Sequence, residues 1–326
     1  MILMSDALNT ETENYLKDQG YLMPDEEIIK YEKAGEGNMN LVVRITTDAG
    51  KVIVKQSRPY VNKYPQIAAP LNRIILERQF YLTIKDHPLL KKYSPEVFDF
   101  DDENYTLLME DLGQGTNYLG LYNGKISISD NELNLLLDYL VCLHGLKNIK
   151  FPDNKEMKTL NHQHIFSYPF MEENGFNLDH IQPGLQELSL PYKKDENLKA
   201  EIHKIGLRYL ENGRSLLHGD FYPGSWLSVN DKVRVIDPEF AFVGDAEFDL
   251  GVMIANLYMA AVDQSRIEES IKYYGSKSEL DPHLLNKYVG IEILRRVIGL
   301  AQLPLRPDLD FKSALCQTAR NFILGQ

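Results

Sequence analysis

Between Leu216 and Phe240 three carboxylates, Asp220, Asp237 and Glu239, stand at the ends of two short apolar runs, beside His218. Leu216, Leu217, Trp226, Leu227, Val229, Val233, Val235 and Ile236 read as buried strand residues. An unpaired buried carboxylate is strongly destabilising, so a chain that folds around this stretch has to supply counter-charge. "VNDK" at 229–232 is a turn signal, which predicts that Trp226–Val229 pairs with Val233–Asp237. The segment after His218 then lies near the segment after Ile236, and Asp220 and Asp237 face a common cleft. Like charges repel there unless a cation sits between them. Mg²⁺ takes hard oxygen ligands and often uses only one or two protein carboxylates beside phosphate oxygens. Asp237 and Glu239, two apart on an extended segment, project to one side and can share such an ion. Asp220 is left to accept a proton from a hydroxyl. The ordinary alternative is three solvated turn carboxylates, since Asp is favoured in turns for local reasons. His218 has no second histidine at ligand spacing and reads as a structural hydrogen-bonding group.

Upstream the pattern is different. Residues 5–30 read as a polar, helical lead-in. "NLVVRITT" and "KVIVKQ", separated by "DAG", read as a hairpin; "NRIILERQFYLTI" reads as a helix; "EVFDFDDENYTLLMEDL" reads as two strands across an acidic turn. From "GQGTN" onward the character is helical. Ser129, with Glu132 three residues on, predicts a capping box at the start of "DNELNLLLDYLVCLHGL". Further helices are expected near 196–212, 247–261, 266–274 and 283–302. The fold class is therefore α+β, with a β-rich lobe over 1–112 and an α-rich lobe over 113–326. Residues 150–195, interrupted by Pro152, Pro169, Pro183 and Pro191, give no readable pattern.

Two further stretches carry charge toward a possible ligand. "AGEGNMN" at 34–40 precedes a strand, and Gly35 and Gly37 would let backbone approach a ligand. Alone it is an ordinary glycine turn, and it lacks the "GK[ST]" of a Walker loop. Lys55 ends the partner strand, and Glu77 on the following helix offers it an ion pair. In "PHLLNKYVGIEILRRVIGLAQ" the stripe Leu284, Tyr288, Ile291, Ile298, Ala301 has helical spacing, and Arg295 falls within it. An inward arginine wants an anion, either a protein carboxylate or a ligand; Asp249 is the structural candidate partner and is also expected to hold loops together. Arg296 can pair with Glu292 one turn back.

Composition excludes several classes. The chain has 326 residues, 44% of them hydrophobic and 25% charged, as expected for a globular protein with a large core. A formal net charge of −12 argues against coating nucleic acid, which wants a basic face. Cys142 and Cys316 lie in apolar runs, which fits a reducing cytoplasm rather than a disulfide scaffold. No apolar run approaches a membrane span, and "MILMSDALNTETENY" lacks the basic and apolar regions of a signal peptide.

"HGDFYPGS" followed by "VIDPEFAFVGDAEFDLG" resembles the catalytic core of the 5-methylthioribose kinases, members of the aminoglycoside phosphotransferase and choline kinase group. "GEGNMNLVVRI", "VIVKQSRPY", "LMEDL" and "LRRVIGLA" resemble that family's nucleotide loop, lysine strand, hinge and twin-arginine helix. The resemblance implies a protein-kinase-like two-lobed fold and ATP-dependent phosphorylation of a small sugar, best matched by 5-methylthioribose. It implies that Asn38 and Lys55 contact ATP, with Glu77 pairing Lys55. Glu110, Asp111 and Leu112 would form the adenine hinge, and Asp237 and Glu239 would hold Mg²⁺. Asp220 would activate the acceptor hydroxyl, and Arg295 and Arg296 would meet the substrate and the transferring phosphate. Related kinases are often homodimers. Other acceptors on the same fold, or nucleotide binding without transfer, are the rival readings. The sequence departs from the family pattern at Tyr222 and Pro223, which replace the His and Thr of that pattern. "VNKYPQIAAPLNR" stands in place of a tryptophan-containing loop, so the acceptor pocket is where divergence is expected.

Overall fold

The computed structural model describes residues 3–35, 39–62, 64–306 and 308–326. The chain divides into two compact units, residues 1–115 with 234–240, and residues 116–233 with 241–326.

The first unit is built on a five-stranded antiparallel sheet in the order β1-β2-β3-β7-β6. Its strands are β1 (Ile28–Lys33), β2 (Leu41–Thr47), β3 (Lys51–Gln56), β6 (Val97–Asp101) and β7 (Thr106–Glu110). The short hairpin β4 (Tyr60–Val61) and β5 (Tyr64–Ala68) lies apart from that sheet. The β-branched runs that predicted β2 and β3 alternate as a pleat requires. Val43 and Val54 are register partners, and with Ile45 and Leu108 they form one buried face with Tyr15 and Leu16 of helix α1 (Thr10–Asp18). Lys55 points the other way, in register with Leu107. Helix α2 (Arg73–Ile84) buries Ile74, Phe80, Tyr81 and Ile84 together with Glu77.

The lead-in is helical only over α1, and β1 begins inside the stretch read as helix. β1 is an edge strand whose residues are half-buried or exposed, so it carries little apolar alternation. Also unanticipated in this unit are the β4–β5 hairpin and a short helix α3 (Pro88–Tyr93).

The second unit is mainly helical. Helices α4 (Asp130–His144), α7 (Glu196–Leu210), α8 (Ala246–Met259), α9 (Gln264–Gly275) and α10 (Pro282–Ile298) match the expected segments. α10 stops at Ile298 before Gly299, so Ala301 lies outside the helix. α5 (Lys155–His162) and α6 (Leu185–Lys194) occupy the unread region, and α11 (Leu309–Leu324) packs along α10. Short strands complete the unit. β8 (Thr116–Asn117) pairs with β10 (Trp226–Val229), and the chain turns from β10 into β11 (Lys232–Val235), whose last two residues belong to the first unit. β9 (Ser215–Leu217) pairs with β12 (Phe242–Gly244). The turn between β10 and β11 places Asn230 and Asp231 both at positive φ, the two-residue hairpin geometry that Asn and Asp tolerate.

The capping box is formed. Ser129 Oγ accepts the Glu132 N–H at 3.3 Å, and the Glu132 carboxylate accepts the Ser129 N–H at 2.7 Å. Replacing Ser129 by Ala is expected to cost about 1 kcal/mol. In urea titrations this reads as a lower midpoint at unchanged slope.

Candidate active site

In the first unit Lys55 sits in a cluster of charges. Its side chain is 5% exposed, and its Nζ lies 2.6 Å from a Glu77 carboxylate oxygen and against the Asp237 carboxylate. Arg73 has no exposed surface. Its Nε donates to Asn40 Oδ1 at 2.9 Å and lies 3.4 Å from Glu239 Oε2. Its terminal nitrogens donate to the carbonyls of Met39, Arg58 and Pro70. Asn40 Nδ2 in turn donates to Glu239 Oε2 at 2.8 Å.

Among the described residues three carboxylates thus face two cations, a formal excess of one negative charge when all three acids are ionised. The titration behaviour follows. Burial pulls the Lys55 pKa down, but the charges of Asp237, Glu77 and Glu239 outweigh it and hold the ammonium firmly protonated. Burial pushes Glu77 up to about 7, with Lys55 opposing. Burial and the Asp237 charge push Glu239 upward, against Lys55 and Arg73.

The segment carrying Asp237 and Glu239 is not extended, as the sequence suggested. Asp237 has φ of +70°, a left-handed conformation uncommon outside glycine, and its N–H donates to the Tyr81 hydroxyl at 3.3 Å. That local twist, rather than a strand's two-residue repeat, turns both acids into one cluster. They differ in access, the Asp237 side chain being 44% exposed and that of Glu239 3%.

The other expected nucleotide residues are less engaged. Gly35 has open space where a Cβ would go, so no close approach requires glycine there. Gly37 and Asn38 lie outside the described residues. Glu110 ends β7, its N–H donating to the Glu96 carbonyl at 2.8 Å. Asp111 is held through its side chain by Arg44, at 2.8 and 2.9 Å, while Arg44 also donates to the Gly113 carbonyl. Arg44 and Asp111 therefore fix the stretch that leads through Leu112 out of the sheet. Arg44, Arg73 and Asn40 were not singled out from sequence. Arg73 carried a signal: a cation at a helix start opposes the macrodipole and needs a compensating partner.

In the second unit Asp220 follows β9 in the loop His218–Asp220. Gly219 has φ of +85°, which glycine adopts without strain. Asp249 on α8 is fully buried and accepts the backbone N–H groups of His218 at 2.6 Å and Gly219 at 3.0 Å. His144 Nε2 lies 3.4 Å from the same carboxylate, and its Nδ1 is 2.7 Å from the Tyr274 hydroxyl. Asp249 is thus the loop's anchor and not a partner of Arg295. His218 is fully buried, and its Nδ1 accepts the Asp220 N–H at 3.4 Å, a structural role as expected. Ser225 Oγ donates to the Asp220 carbonyl at 2.9 Å.

The arginines of α10 arrive at the same place. Arg296 Nη2 is 3.2 Å and Arg295 Nη2 3.7 Å from Asp220 Oδ1. Glu292 meets the Nε atoms of Arg295 at 2.8 Å and Arg296 at 2.7 Å, which adds a second arm to the pairing expected for Arg296 alone. Burial raises the Asp220 pKa above the ordinary carboxylate value, with both arginines opposing. A carboxylate with raised basicity, 23% exposed and flanked by two guanidinium groups, can orient a hydroxyl and accept its proton.

Among the described residues no three or more His, Cys, Asp or Glu side chains gather as a metal cage, and no helix is long and apolar enough to cross a membrane. The profile described as "Phosphotransferase enzyme family" matches residues 30–284. Methylthioribose kinase 1 of Oryza sativa subsp. japonica is 30% identical over an alignment of 254 positions that covers 73% of this chain and 58% of that one. Methylthioribose kinase of Geobacillus kaustophilus is 28% identical over 85% of this chain and 79% of its own. Choline kinase LicA from Streptococcus pneumoniae has a similar structure, with a TM-score of 0.55 at 14% identity, covering 97% of this chain and all of that one. A structure of LicA in complex with AMP has a TM-score of 0.56. The small antiparallel sheet and the helical unit carry the protein-kinase-like fold, and with the profile spanning most of its length the chain belongs to the phosphotransferase enzyme family.

Proposed function

We propose that this protein transfers the terminal phosphoryl group of ATP to a hydroxyl of a small sugar, with 5-methylthioribose as the acceptor. The observation that carries the reading is Asp220 held beside Arg295 and Arg296, a base next to the charges that a transferring phosphoryl group needs. The names of the relatives support the choice of acceptor. Kinases of this kind work by alignment and charge neutralisation, with little covalent work by the protein. In the first unit Lys55, oriented by Glu77, exchanges Asp237 for phosphate oxygens. Asn38 would contact ATP, with Gly35 and Gly37 letting backbone approach it, and backbone groups of Glu110, Asp111 and Leu112 would take the adenine. The excess negative charge beside the exposed Asp237 fits a divalent cation. Asp237 and Glu239 would hold Mg²⁺, which supplies charge neutralisation to the triphosphate. In the second unit Asp220 accepts the hydroxyl proton, while Arg295 and Arg296 stabilise negative charge on the transferring group.

The test is ATP consumption against methylthioribose, ribose, deoxyribose, choline and kanamycin. Turnover is expected with methylthioribose and absent with kanamycin, a polycation that the two arginines repel. Preference for another sugar moves the acceptor assignment. ATP binding without turnover on any acceptor replaces the kinase reading with nucleotide binding alone.

A further inference from the structure

Arg44 has an acid across the ladder from it, yet it pairs elsewhere. Its register partner on β1 is Glu32, whose carboxylate instead meets Lys30 at 2.8 Å. Arg44 reaches the other way, past β3, to Asp111 just beyond the end of β7. The contact is a two-point fork, Nε to Oδ2 at 2.8 Å and Nη2 to Oδ1 at 2.9 Å. Nη2 also donates to the Gly113 carbonyl at 2.8 Å, and Asp111 Oδ1 accepts the Gly113 N–H at 3.0 Å. Both carboxylate oxygens of Asp111 are therefore occupied, one of them twice, and the side chain is 2% exposed. Glu110, the neighbouring acid, is engaged too, its Oε2 accepting the Glu96 N–H at 3.1 Å. Arg44 is in register with Ile53, as Val42 is with Lys55, so Arg44 stands on the sheet face that carries Lys55.

The fate of the Asp111 carboxylate bears on which base this stretch can take. Adenine offers an amino donor beside a ring-nitrogen acceptor, which a backbone C=O and N–H match. Guanine offers two donors side by side, its ring N–H and its amino group, and an ionised carboxylate accepts such a pair at two points. The same carboxylate turned toward adenine would face the lone pair of the ring nitrogen and repel it. Asp111 carries its carboxylate on a residue whose backbone is assigned to the base, so rotation of a released side chain is enough to bring the two together.

We propose that Arg44 sets the base specificity of the nucleotide site: by holding the Asp111 carboxylate in its fork, it leaves backbone groups to meet the base and so selects adenine over guanine. This rests on the assignment of residues 110–112 to the base made above. Arg44 acts through Asp111 and is a positioning residue.

Calorimetric titration of the full chain with MgADP and with MgGDP tests this without an acceptor. The wild type is expected to favour MgADP. Arg44→Gln releases the carboxylate and should bind MgGDP at least about tenfold more tightly than the wild type does, the scale of one charge-assisted hydrogen bond gained. A stretch that had only loosened would bind both nucleotides more weakly, so a gain for MgGDP is not what a purely structural role gives. Adding Asp111→Asn to Arg44→Gln should remove the gain, because an amide no longer offers two acceptors. If circular dichroism shows that Arg44→Gln does not fold, Arg44→Lys keeps the charge but not the fork, and should gain about threefold for MgGDP. The proposal is overturned, with the nucleotide reading intact, if the folded variant binds MgGDP no more tightly than the wild type, if the gain survives Asp111→Asn, or if the wild type itself favours MgGDP. A wild type that binds neither nucleotide overturns both.

Discussion

Replacing Asp220 by Asn is expected to lower kcat at least ~10²-fold, the usual contribution of a positioned general base. The amide keeps an oxygen where Arg296 now contacts Oδ1 at 3.2 Å, so the loop retains that link, and the Asp249 anchor beneath it is untouched. What goes is the ability to take a proton. The KM for ATP should stay within about twofold, because the groups assigned to the nucleotide belong to the other unit. In the wild type, burial raises the Asp220 pKa, so the acid limb of kcat/KM should fall at a higher pH than a free aspartate would give. Steady-state kinetics with circular dichroism to check folding measure both. Turnover in Asp220→Asn within about threefold of wild type would take the base role away from Asp220.

The question raised by three acids in one apolar stretch has a specific answer. The chain supplies its own cations: Lys55 and Arg73 for Asp237 and Glu239, Arg295 and Arg296 for Asp220. Lys55 was legible because a lysine ending a buried strand and a glutamate on the next helix are both unusual inside, and each explains the other. Arg296 with Glu292 was legible from their four-residue spacing, and the Ser129 cap from its three-residue signature. Asn40 and Glu239 stand 199 residues apart, and no local pattern couples them. The second arm of Glu292, to Arg295, was hidden because pairing with Arg296 already satisfied the spacing argument. Asp237 shows the opposite failure. A two-residue spacing was treated as strand geometry, whereas a left-handed residue before a proline achieves the same convergence. Among the elements, α11 carries a readable stripe of Leu315, Ala319 and Ile323 behind the Asp308 cap. β1 carries almost none, being an edge strand defined by its pairing with β2.

Charge balance in the first unit leads to the second large effect. Lys55→Met should destabilise the protein increasingly above neutral pH, toward the roughly 3–5 kcal/mol cost of removing one partner from a buried ion pair. Glu77, 1% exposed, would lose the cation 2.6 Å away while the charge of Asp237 still bears on it. Burial already pushes Glu77 up to about 7 against the pull of Lys55, so without Lys55 its pKa rises further. Among the described residues Arg73 is the cation left to oppose that, and it is committed to Asn40, Glu239 and three carbonyls. A carboxyl whose folded pKa lies above its unfolded value binds more protons when folded, so stability falls as pH rises between the two values. Below about pH 7 Glu77 is largely neutral in both proteins, so the deficit of Lys55→Met relative to wild type should be smallest near pH 5 and grow as pH rises above about 7. Urea titrations across that range, with chelator present and nucleotide absent, measure it. A deficit of the same size at both ends would show that lost packing of the lysine stem, and not a stranded carboxylate, is what the substitution costs. The double variant Lys55→Met with Glu77→Gln separates the two directly: removing the charge should restore stability at pH 8 and change little at pH 5.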